Sequence, residues 1–299
     1  MKQTTGLFLA LIMCLLPVQP LAAASKSWSP PSPAPTDKRF ASLPQITRQA
    51  LRAGKIAGAV VLIGNREKIL YQEAFGHRAL IPNRLPMTLD TIFDLASLTK
   101  VVATTTAVMQ LVERGKLRLN EPVSNLWPEF NAAGKEQITV LDLLTHSSGL
   151  RPGLERRPNG SGTEEILRMI AEVKPVCPPK TKVIYSDINF LVLGEIVRLV
   201  SGEPLDRYCF DNIFKPLGMK DTFFNPSPGL QTRIAPTQYL DKRNGRMLRG
   251  EVHDPTASCM GGVAGHAGVF STAPDLSLFC RMLLGGGSLP TGSVRWPEA

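Results

Sequence analysis

The stretch FDLASLTKVVATTTAVMQLVERG, residues 93–115, decides how this sequence is interpreted. Between Leu95 and Val112 its only charged residue is Lys100, so one lysine stands in an apolar run that predicts a buried helix ending near Gly115. Burying an unpaired ammonium costs free energy. The lysine must therefore have a partner or a chemical use, and Ser97 lies three residues before it.

The spacing of Ser97 and Lys100 favours nucleophilic chemistry. Residues three apart share one face of a helix, so the hydroxyl and the amine can meet. A serine hydroxyl becomes a good nucleophile when a neighbouring base takes its proton, and a desolvated amine can be that base. N–H groups at the helix N-terminus would favour the oxyanion of acyl transfer. The alternative is a lysine that reaches solvent along an apolar surface, since a Ser-x-x-Lys spacing also arises by chance.

A second candidate stretch is VIYSDINF, residues 183–190. It predicts a short strand and then a helix that starts near Phe190, with Tyr185 and Asp187 between them. A phenol beside a lysine ammonium could exchange a proton with a serine and a leaving group. The alternatives are a half-buried aromatic with a satisfied hydroxyl for Tyr185 and a helix N-cap for Asp187.

Four ordered motifs resemble the serine β-lactamase-related family, which includes class C β-lactamases, D-alanyl-D-alanine carboxypeptidases, D-aminopeptidases and esterases. They are SLTK at 97–100, LLTHSSGL at 143–150, YSD at 185–187 and FKPLGMKDTFF at 214–224. The string GEVHDPTASCMGGVAGHAGVFST at 250–272 is similar to a periplasmic branch related to low-molecular-weight penicillin-binding proteins.

The resemblance implies an α+β fold, an antiparallel sheet flanked by helices with an all-helical subdomain, over residues 40–290. It also implies roles for four residues. Ser97 would be the acylated nucleophile, Lys100 its activating partner, Tyr185 the general base and Asp187 a substrate-binding residue. The family usually has Asn at the last position, and a carboxylate there would pull the lysine toward its protonated form. No cofactor is implied.

The strand content is low for such a fold. Only one hairpin is clear, formed by residues 56–64 and 68–76 around Asn65 and Arg66. Family members carry a K-T-G or H-T-G motif on a strand after the helix that STAPDLSLF (271–279) begins, and we find no convincing one. We therefore expect a member whose C-terminal sheet strands are missing, with residues 291–299 as a tail.

Other elements are predicted from caps and stops. A helix over 40–53 ends at Gly54, and the helix that contains FLVLGEIVRLVS ends at Gly202. Thr139 and Thr163 are each expected to cap a helix, and Thr272 with Asp275 is spaced as a capping box.

The N-terminus predicts export. Lys2, an apolar run and Ala22–Ala24 match a cleaved signal peptide over residues 1–24, followed by a Pro-rich tether over 25–39. The alternatives are an uncut membrane anchor and a lipoprotein acylated at Cys14. Loss of Lys2 lowers the formal net charge from +9 to +8. A periplasmic or secreted location is expected, and the basic surface favours peripheral association with cell wall or membrane.

The cysteines and histidines predict neither a particular disulfide nor a metal site. Export permits disulfides among Cys177, Cys209, Cys259 and Cys280, but a domain of this size does not need them. His146, His253 and His266, even with Asp254, have the spacing of no common metal site, so we predict no metal.

The residues and the resemblance together predict an exported serine hydrolase. It would act through an acyl-enzyme on amide, ester or lactam carbonyls, with a small molecule or a peptidoglycan peptide as substrate. The alternative is a non-catalytic, truncated member that binds cell-wall peptides. No nucleic-acid partner is expected, because no dense basic cluster carries interleaved aromatics. A monomer is expected.

Overall fold

The structure is a computed structural model that describes residues 10–14, 38–155, 162–241 and 246–287. It contains two compact units. The first holds the described residues of 1–93, 227–250 and 271–298, and the second holds those of 94–226 and 251–270.

The first unit is built on the predicted hairpin, which is confirmed as β2 (Gly58–Gly64) and β3 (Ile69–Ala79). Two further strands extend it, β1 (Ala10–Cys14) and β4 (Leu85–Pro86), in the antiparallel order β1-β2-β3-β4. The strand β1 pairs with β2 from Ala10 opposite Ile63 to Cys14 opposite Ala59. It lies within the predicted signal peptide, whose other residues and most of the tether are outside the described residues.

Strand β2 is buried on both faces, which explains its continuous apolar sequence. On one face Val61 and Ile63 pack with Tyr71 and Phe75 of β3. Leu43 and Leu51 of α1 (Leu43–Arg52) pack against the same cluster. The helix α10 (Ala273–Leu284) also contacts β2. Each large apolar side chain buried in this way stabilises the fold by about 2 kcal/mol.

The remaining elements of the first unit are short. A 3₁₀ turn over Lys38–Phe40 precedes α1, so this helix begins three residues later than predicted. The predicted cap of α10 is confirmed, because the Thr272 hydroxyl accepts the N–H of Asp275. A 3₁₀ segment spans Pro228–Arg233, and β7 (Gln238–Asp241) pairs antiparallel with β8 (Arg246–Leu248).

The second unit surrounds one long helix, α6 (Asp187–Ser201), whose residues 188–197 are all buried. The helix ends as predicted at Gly202, which has φ 79°. The shorter α-helices of this unit are α2 (Thr106–Glu113), α3 (Val123–Leu126), α4 (Val140–Leu144), α5 (Thr163–Glu172), α7 (Leu205–Cys209), α8 (Lys215–Leu217) and α9 (Pro255–Cys259). A 3₁₀ turn covers Pro128–Phe130 and a π-helical segment covers Phe210–Phe214.

The single helix predicted from Ser97 to Gly115 is wrong in detail. The chain forms a 3₁₀ turn over Ala96–Leu98, a π-helix over Lys100–Thr105 and then α2. The Thr106 hydroxyl donates to the carbonyl of Val101, five residues earlier. Threonine hydroxyls compete with the regular helical hydrogen bonds, and π-helical turns are frequent at functional sites.

One of the two threonine caps is confirmed. Thr139 caps α4 with a complete capping box to Asp142. Thr163 is instead the first residue of α5, Gly162 holds the capping position, and the Thr163 hydroxyl donates to the carbonyl of Met260.

Three further strands were not predicted from the sequence, because they are too short to show alternation. They are β5 (Phe93–Asp94), β6 (Phe223–Phe224) and β9 (Val269–Ser271). Strand β6 pairs antiparallel with β9, with Phe223 opposite Phe270. The α+β class is therefore confirmed, with more strands than were predicted.

Two other observations concern the described residues as a whole. None of their helices has the length and apolar character needed to cross a bilayer. Cys177, Cys209 and Cys280 have free thiols.

Candidate active site

Ser97 lies exposed in the 3₁₀ turn that precedes the π-helix. The residue before it, Ala96, has φ 46°, which is unusual for a residue with a side chain and costs about 1 kcal/mol or more. The carboxylate of Asp94 accepts the N–H of Ala96 at 2.8 Å and the N–H of His253 at 2.7 Å. Asp94 therefore holds the turn that presents Ser97, although burial raises the pKa of this carboxyl group.

Lys100 is only 3% exposed, and its ammonium group has three acceptors among the described residues. Its Nζ donates to the Ser97 hydroxyl at 3.0 Å, to Asp187 Oδ1 at 2.8 Å and to the backbone carbonyl of His266 at 3.3 Å. An ammonium has three N–H donors, so this set matches the charged form. The expected activating partner of Ser97 is therefore within hydrogen-bond distance of it, with Nζ as the donor.

Asp187 owes its position to the start of α6. The predicted strand before it is wrong, since residues 182–186 form no regular element, and the helix starts at Asp187 rather than near Phe190. Ser186 occupies the N-cap position, so the N-cap interpretation of Asp187 is also wrong. The carboxylate of Asp187 turns to Lys100 instead.

Tyr185 is brought to the same cluster but presents the face of its ring. Lys100 Nζ lies 4.9 Å from the centroid of this ring and 5.8 Å from that of Phe190, which are cation–π distances. Tyr185 is 55% exposed, so its side chain is accessible from solvent while one face covers the ammonium.

His146 lies at the same cluster, a position that its place in the motif LLTHSSGL (143–150) did not predict. Its ring packs 4.6 Å from that of Tyr185, and its backbone has φ 57°. Its Nδ1 accepts the backbone N–H of Ser186 at 3.1 Å, so Nδ1 carries no proton. Burial lowers the pKa of His146, and the charge of Lys100 lowers it further. A neutral imidazole thus supports the tyrosine.

A second histidine, His266, forms a pair with Asp254. Its Nε2 lies 2.8 Å from Asp254 Oδ1. Burial opposes ionisation of Asp254, but the hydrogen bond and charge of His266, together with the N–H groups of Ala257 and Thr256, outweigh it and lower the pKa of Asp254 to about 2. No spacing rule joined these two residues, because a turn, α9 and a glycine-rich loop separate them.

Of the described residues, Asp187, Asp254 and His266 have carboxylate and imidazole atoms within 4.8 Å of one another, which is a distance set that a metal ion could use. Each of the three already has a partner, however, because Asp187 binds Lys100 and Asp254 binds His266. A cation there would have to compete with the ammonium of Lys100. His146 and His253 do not join this set.

The chain was compared with known proteins. A family model described as Beta-lactamase matches residues 43–298. The chain is 32% identical to the Bacillus subtilis protein named "N-acetylmuramyl-L-alanine amidase", over 84% of this chain and 64% of the relative. It is 34% identical to a Salmonella gallinarum protein named "Putative D-alanyl-D-alanine carboxypeptidase", over 76% of this chain and 60% of the relative.

A solved structure gives the same result. The octameric penicillin-binding protein homologue from Pyrococcus abyssi matches with a TM-score of 0.67 and 28% identity, over 81% of this chain and 55% of that protein. The chain spans less than two thirds of the length of each of these three relatives. The extent of the family match and the identity to the two curated relatives show that the chain belongs to the β-lactamase family and has the β-lactamase/transpeptidase fold.

Proposed function

We propose that this chain is an exported serine hydrolase that forms an acyl-enzyme on Ser97 and acts on amide bonds of peptidoglycan peptides. One observation carries the proposal: the exposed Ser97 hydroxyl accepts a hydrogen bond from the buried ammonium of Lys100 at 3.0 Å. A positive charge at this distance stabilises the alkoxide that forms as the serine loses its proton.

The proton acceptor in this proposal is Tyr185. An ammonium with three acceptors cannot also accept a proton, so Lys100 acts by its charge. The Tyr185 ring lies 4.9 Å from the same ammonium and its side chain is 55% exposed, so its phenol is available beside Ser97 and Lys100. The phenolate takes the proton of Ser97 as Oγ bonds to the carbonyl carbon, and the departing amine receives that proton as the C–N bond breaks. Water then adds to the ester, its proton passes to Tyr185, and the acid leaves as the proton returns to Oγ.

Peptidoglycan peptides are proposed because two curated relatives are named for amide bonds found there. Those names describe the relatives, and the chain covers less than two thirds of either. An ester or a lactam carbonyl would undergo the same addition at Ser97. β-Lactamase activity as the main role is less favoured than action on a wall peptide.

The test is covalent labelling. A fluorescent penicillin or a fluorophosphonate should label the full chain, intact mass should rise by one acyl or phosphonyl group, and Ser97→Ala should abolish both signals. Ser42→Ala is the matched control, because Ser42 is exposed and its side chain makes no capping hydrogen bond at α1. Labelling that persists in Ser97→Ala would overturn the assignment of the nucleophile.

Muropeptide digestion separates the two amide chemistries. Loss of one alanine from a pentapeptide would indicate a carboxypeptidase, and release of the whole peptide from the sugar would indicate an amidase. A folded protein that is not labelled but binds muropeptides would instead support the second candidate, a non-catalytic member that binds cell-wall peptides.

Export is the remaining part of the proposal, and it rests on residues 1–24. Cleavage after Ala24 would remove β1, which pairs with β2. The mass of the protein recovered from a periplasmic fraction gives the test: an N-terminus at Ser25 supports cleavage, and an intact N-terminus in a cytoplasmic fraction contradicts export.

A further inference from the structure

The proposed chemistry leaves one buried pair unused, Asp254 and His266. His266 is only 2% exposed. Because an ionised carboxylate has no proton to donate, the Nε2–H of His266 donates to Asp254 Oδ1 at 2.8 Å. The same oxygen accepts the N–H of Ala257, also at 2.8 Å, at the first turn of α9. The other ring nitrogen, Nδ1, is buried and has no hydrogen-bond partner among the described residues.

The backbone of this segment is tied to the helix that carries Lys100. The Thr104 hydroxyl donates to the carbonyl of Gly265 at 2.6 Å, and the Thr99 hydroxyl accepts the N–H of Val269 at 3.1 Å. His266 lies between these two anchors and offers its own carbonyl to Lys100 Nζ at 3.3 Å.

Gly265 shows how closely the segment also approaches α6. A Cβ added at Gly265 would lie 1.9 Å from the carbonyl oxygen of Phe190, so no larger residue fits there. The segment cannot move away from Lys100 without breaking these contacts.

The pair also lies close to the carboxylate that binds Lys100. Atoms of Asp187, Asp254 and His266 lie within 4.8 Å of one another, and Asp187 binds the Lys100 ammonium directly at 2.8 Å. The Asp254 carboxylate and the His266 imidazole therefore lie beside the carboxylate that binds the ammonium. Charges this close inside a protein interact more strongly than in water.

We infer that Asp254 and His266 form a positioning pair for Lys100, which fixes the third acceptor of its ammonium and places the carboxylate of Asp254 beside Asp187, and so keeps the ammonium directed at Ser97. This inference rests on the proposed function. Other groups face the ammonium too, and the pair acts together with them: Ser97, His146, Tyr185, Asp187 and Phe190.

The first experiment measures the rate of Ser97 phosphonylation across pH in the full chain. His266→Ala and Asp254→Asn should lower the rate at least about tenfold, because the anchors at Gly265 and Val269 still hold the segment but the hydrogen bond that fixes the orientation of the 266 peptide toward Nζ is lost. Asp254→Asn should also move the rate profile toward acid by about one pH unit, since one negative charge is removed. His266→Gln, whose amide can still donate to Asp254, should recover most of the rate. The control is His77→Gln, which alters a half-buried histidine of β3.

A structural role alone would give a different pattern. If His266→Ala and Asp254→Asn lower the melting temperature but leave the rate and its pH profile as in the wild type, the inference is overturned. If His266→Gln is as slow as His266→Ala while it melts like the wild type, the donation to Asp254 is not what matters, and the inference is again overturned.

A second readout does not depend on activity. Growth with lysine that carries ¹³C at Cε gives each lysine an NMR signal and leaves its N–H donors intact, and Lys100 is identified by its loss in Lys100→Met. In Asp254→Asn the Lys100 signal should change with pH at a lower pH than in the wild type; an unchanged signal overturns the inference. If the wild type is never phosphonylated, the proposed function fails, and this titration still decides whether the pair acts on Lys100.

Discussion

Two lysines of the second unit are buried to almost the same degree and have opposite surroundings. Lys100 is 3% exposed and binds a serine hydroxyl, a carboxylate and one carbonyl. Lys135 is 0% exposed and donates only to backbone carbonyls, those of Ala171 at 2.6 Å and Val173 at 2.9 Å, at the C-terminal end of α5.

Because both lysines are buried, burial of an ammonium is not by itself a sign of catalysis. Lys135 completes the end of a helix, where carbonyl groups lack partners and a positive charge is favourable. It also lies 5.0 Å from the centroid of the Phe130 ring. Lys100 has the hydroxyl of Ser97, the proposed nucleophile, and an exposed phenol beside it, and those neighbours distinguish the proposed active site from a helix cap.

The largest expected effect is loss of chemistry in Lys100→Met. Without the ammonium, nothing stabilises the Ser97 alkoxide, so the phosphonylation rate should fall about 1000-fold. Stopped-flow labelling measures the rate, and circular dichroism checks the fold. Lys116→Met is the control, because Lys116 is exposed just after α2. A Lys100→Met rate within tenfold of the wild-type rate would show that Lys100 is not needed for the chemistry and so does not differ from Lys135 in this respect.

Lys135→Met should affect stability and not chemistry. Methionine fills similar volume but leaves two carbonyl groups without a donor, which costs about 1–3 kcal/mol in the free energy of unfolding. Burial lowers the pKa of Lys135, so desolvation already offsets part of what its hydrogen bonds contribute. Urea unfolding measures the loss, with the exposed Lys174→Met as control. If Lys135→Met lowers the labelling rate while the protein stays fully folded, Lys135 is not merely a helix cap and the difference from Lys100 does not hold.

Asp187→Asn tests what separates the two lysines most directly, a carboxylate at 2.8 Å. Removing this charge makes the ammonium of Lys100 easier to deprotonate, so the pH profile of phosphonylation should move toward acid by about two pH units. The stability difference between wild type and Lys135→Met should be the same in this background. A profile that does not move would show that Asp187 does not control the charge of Lys100.

The smallest effect is expected at His146. Burial is the largest cause that lowers the pKa of His146, and the charge of Lys100 is the next. The folded protein therefore favours the neutral imidazole. The resulting stabilisation of the folded state is present above the ordinary pKa of histidine and is lost as the pH falls through the lowered pKa. Lys100→Met should raise the NMR titration midpoint of His146, whereas Lys135→Met should leave it unchanged. Equal midpoints in the two variants would contradict the electrostatic link between His146 and Lys100.

Much of the fold could be predicted from local signals. The β2–β3 hairpin, the cap at Thr139 and the stop at Gly202 each depend on a few adjacent residues, and all are confirmed. The strands β4, β5, β6 and β9 were missed, because two or three residues give no readable period. The π-helix at Lys100 was missed since apolar periodicity does not distinguish it from an α-helix.

Local spacing was enough to place Ser97 and Lys100 in one turn and Tyr185 and Asp187 at the start of a helix, because spacing along one segment fixes which side chains are neighbours. Folding of distant segments onto one another brings Asp187 to Lys100, His146 to Tyr185, and the backbone carbonyl of His266, whose side chain pairs with Asp254, to the ammonium. The contacts to Tyr185 and Lys100 join residues that are 39, 87 and 166 positions apart. They depend on packing of α6 and the 265–269 segment against the Lys100 helix, which no local pattern encodes.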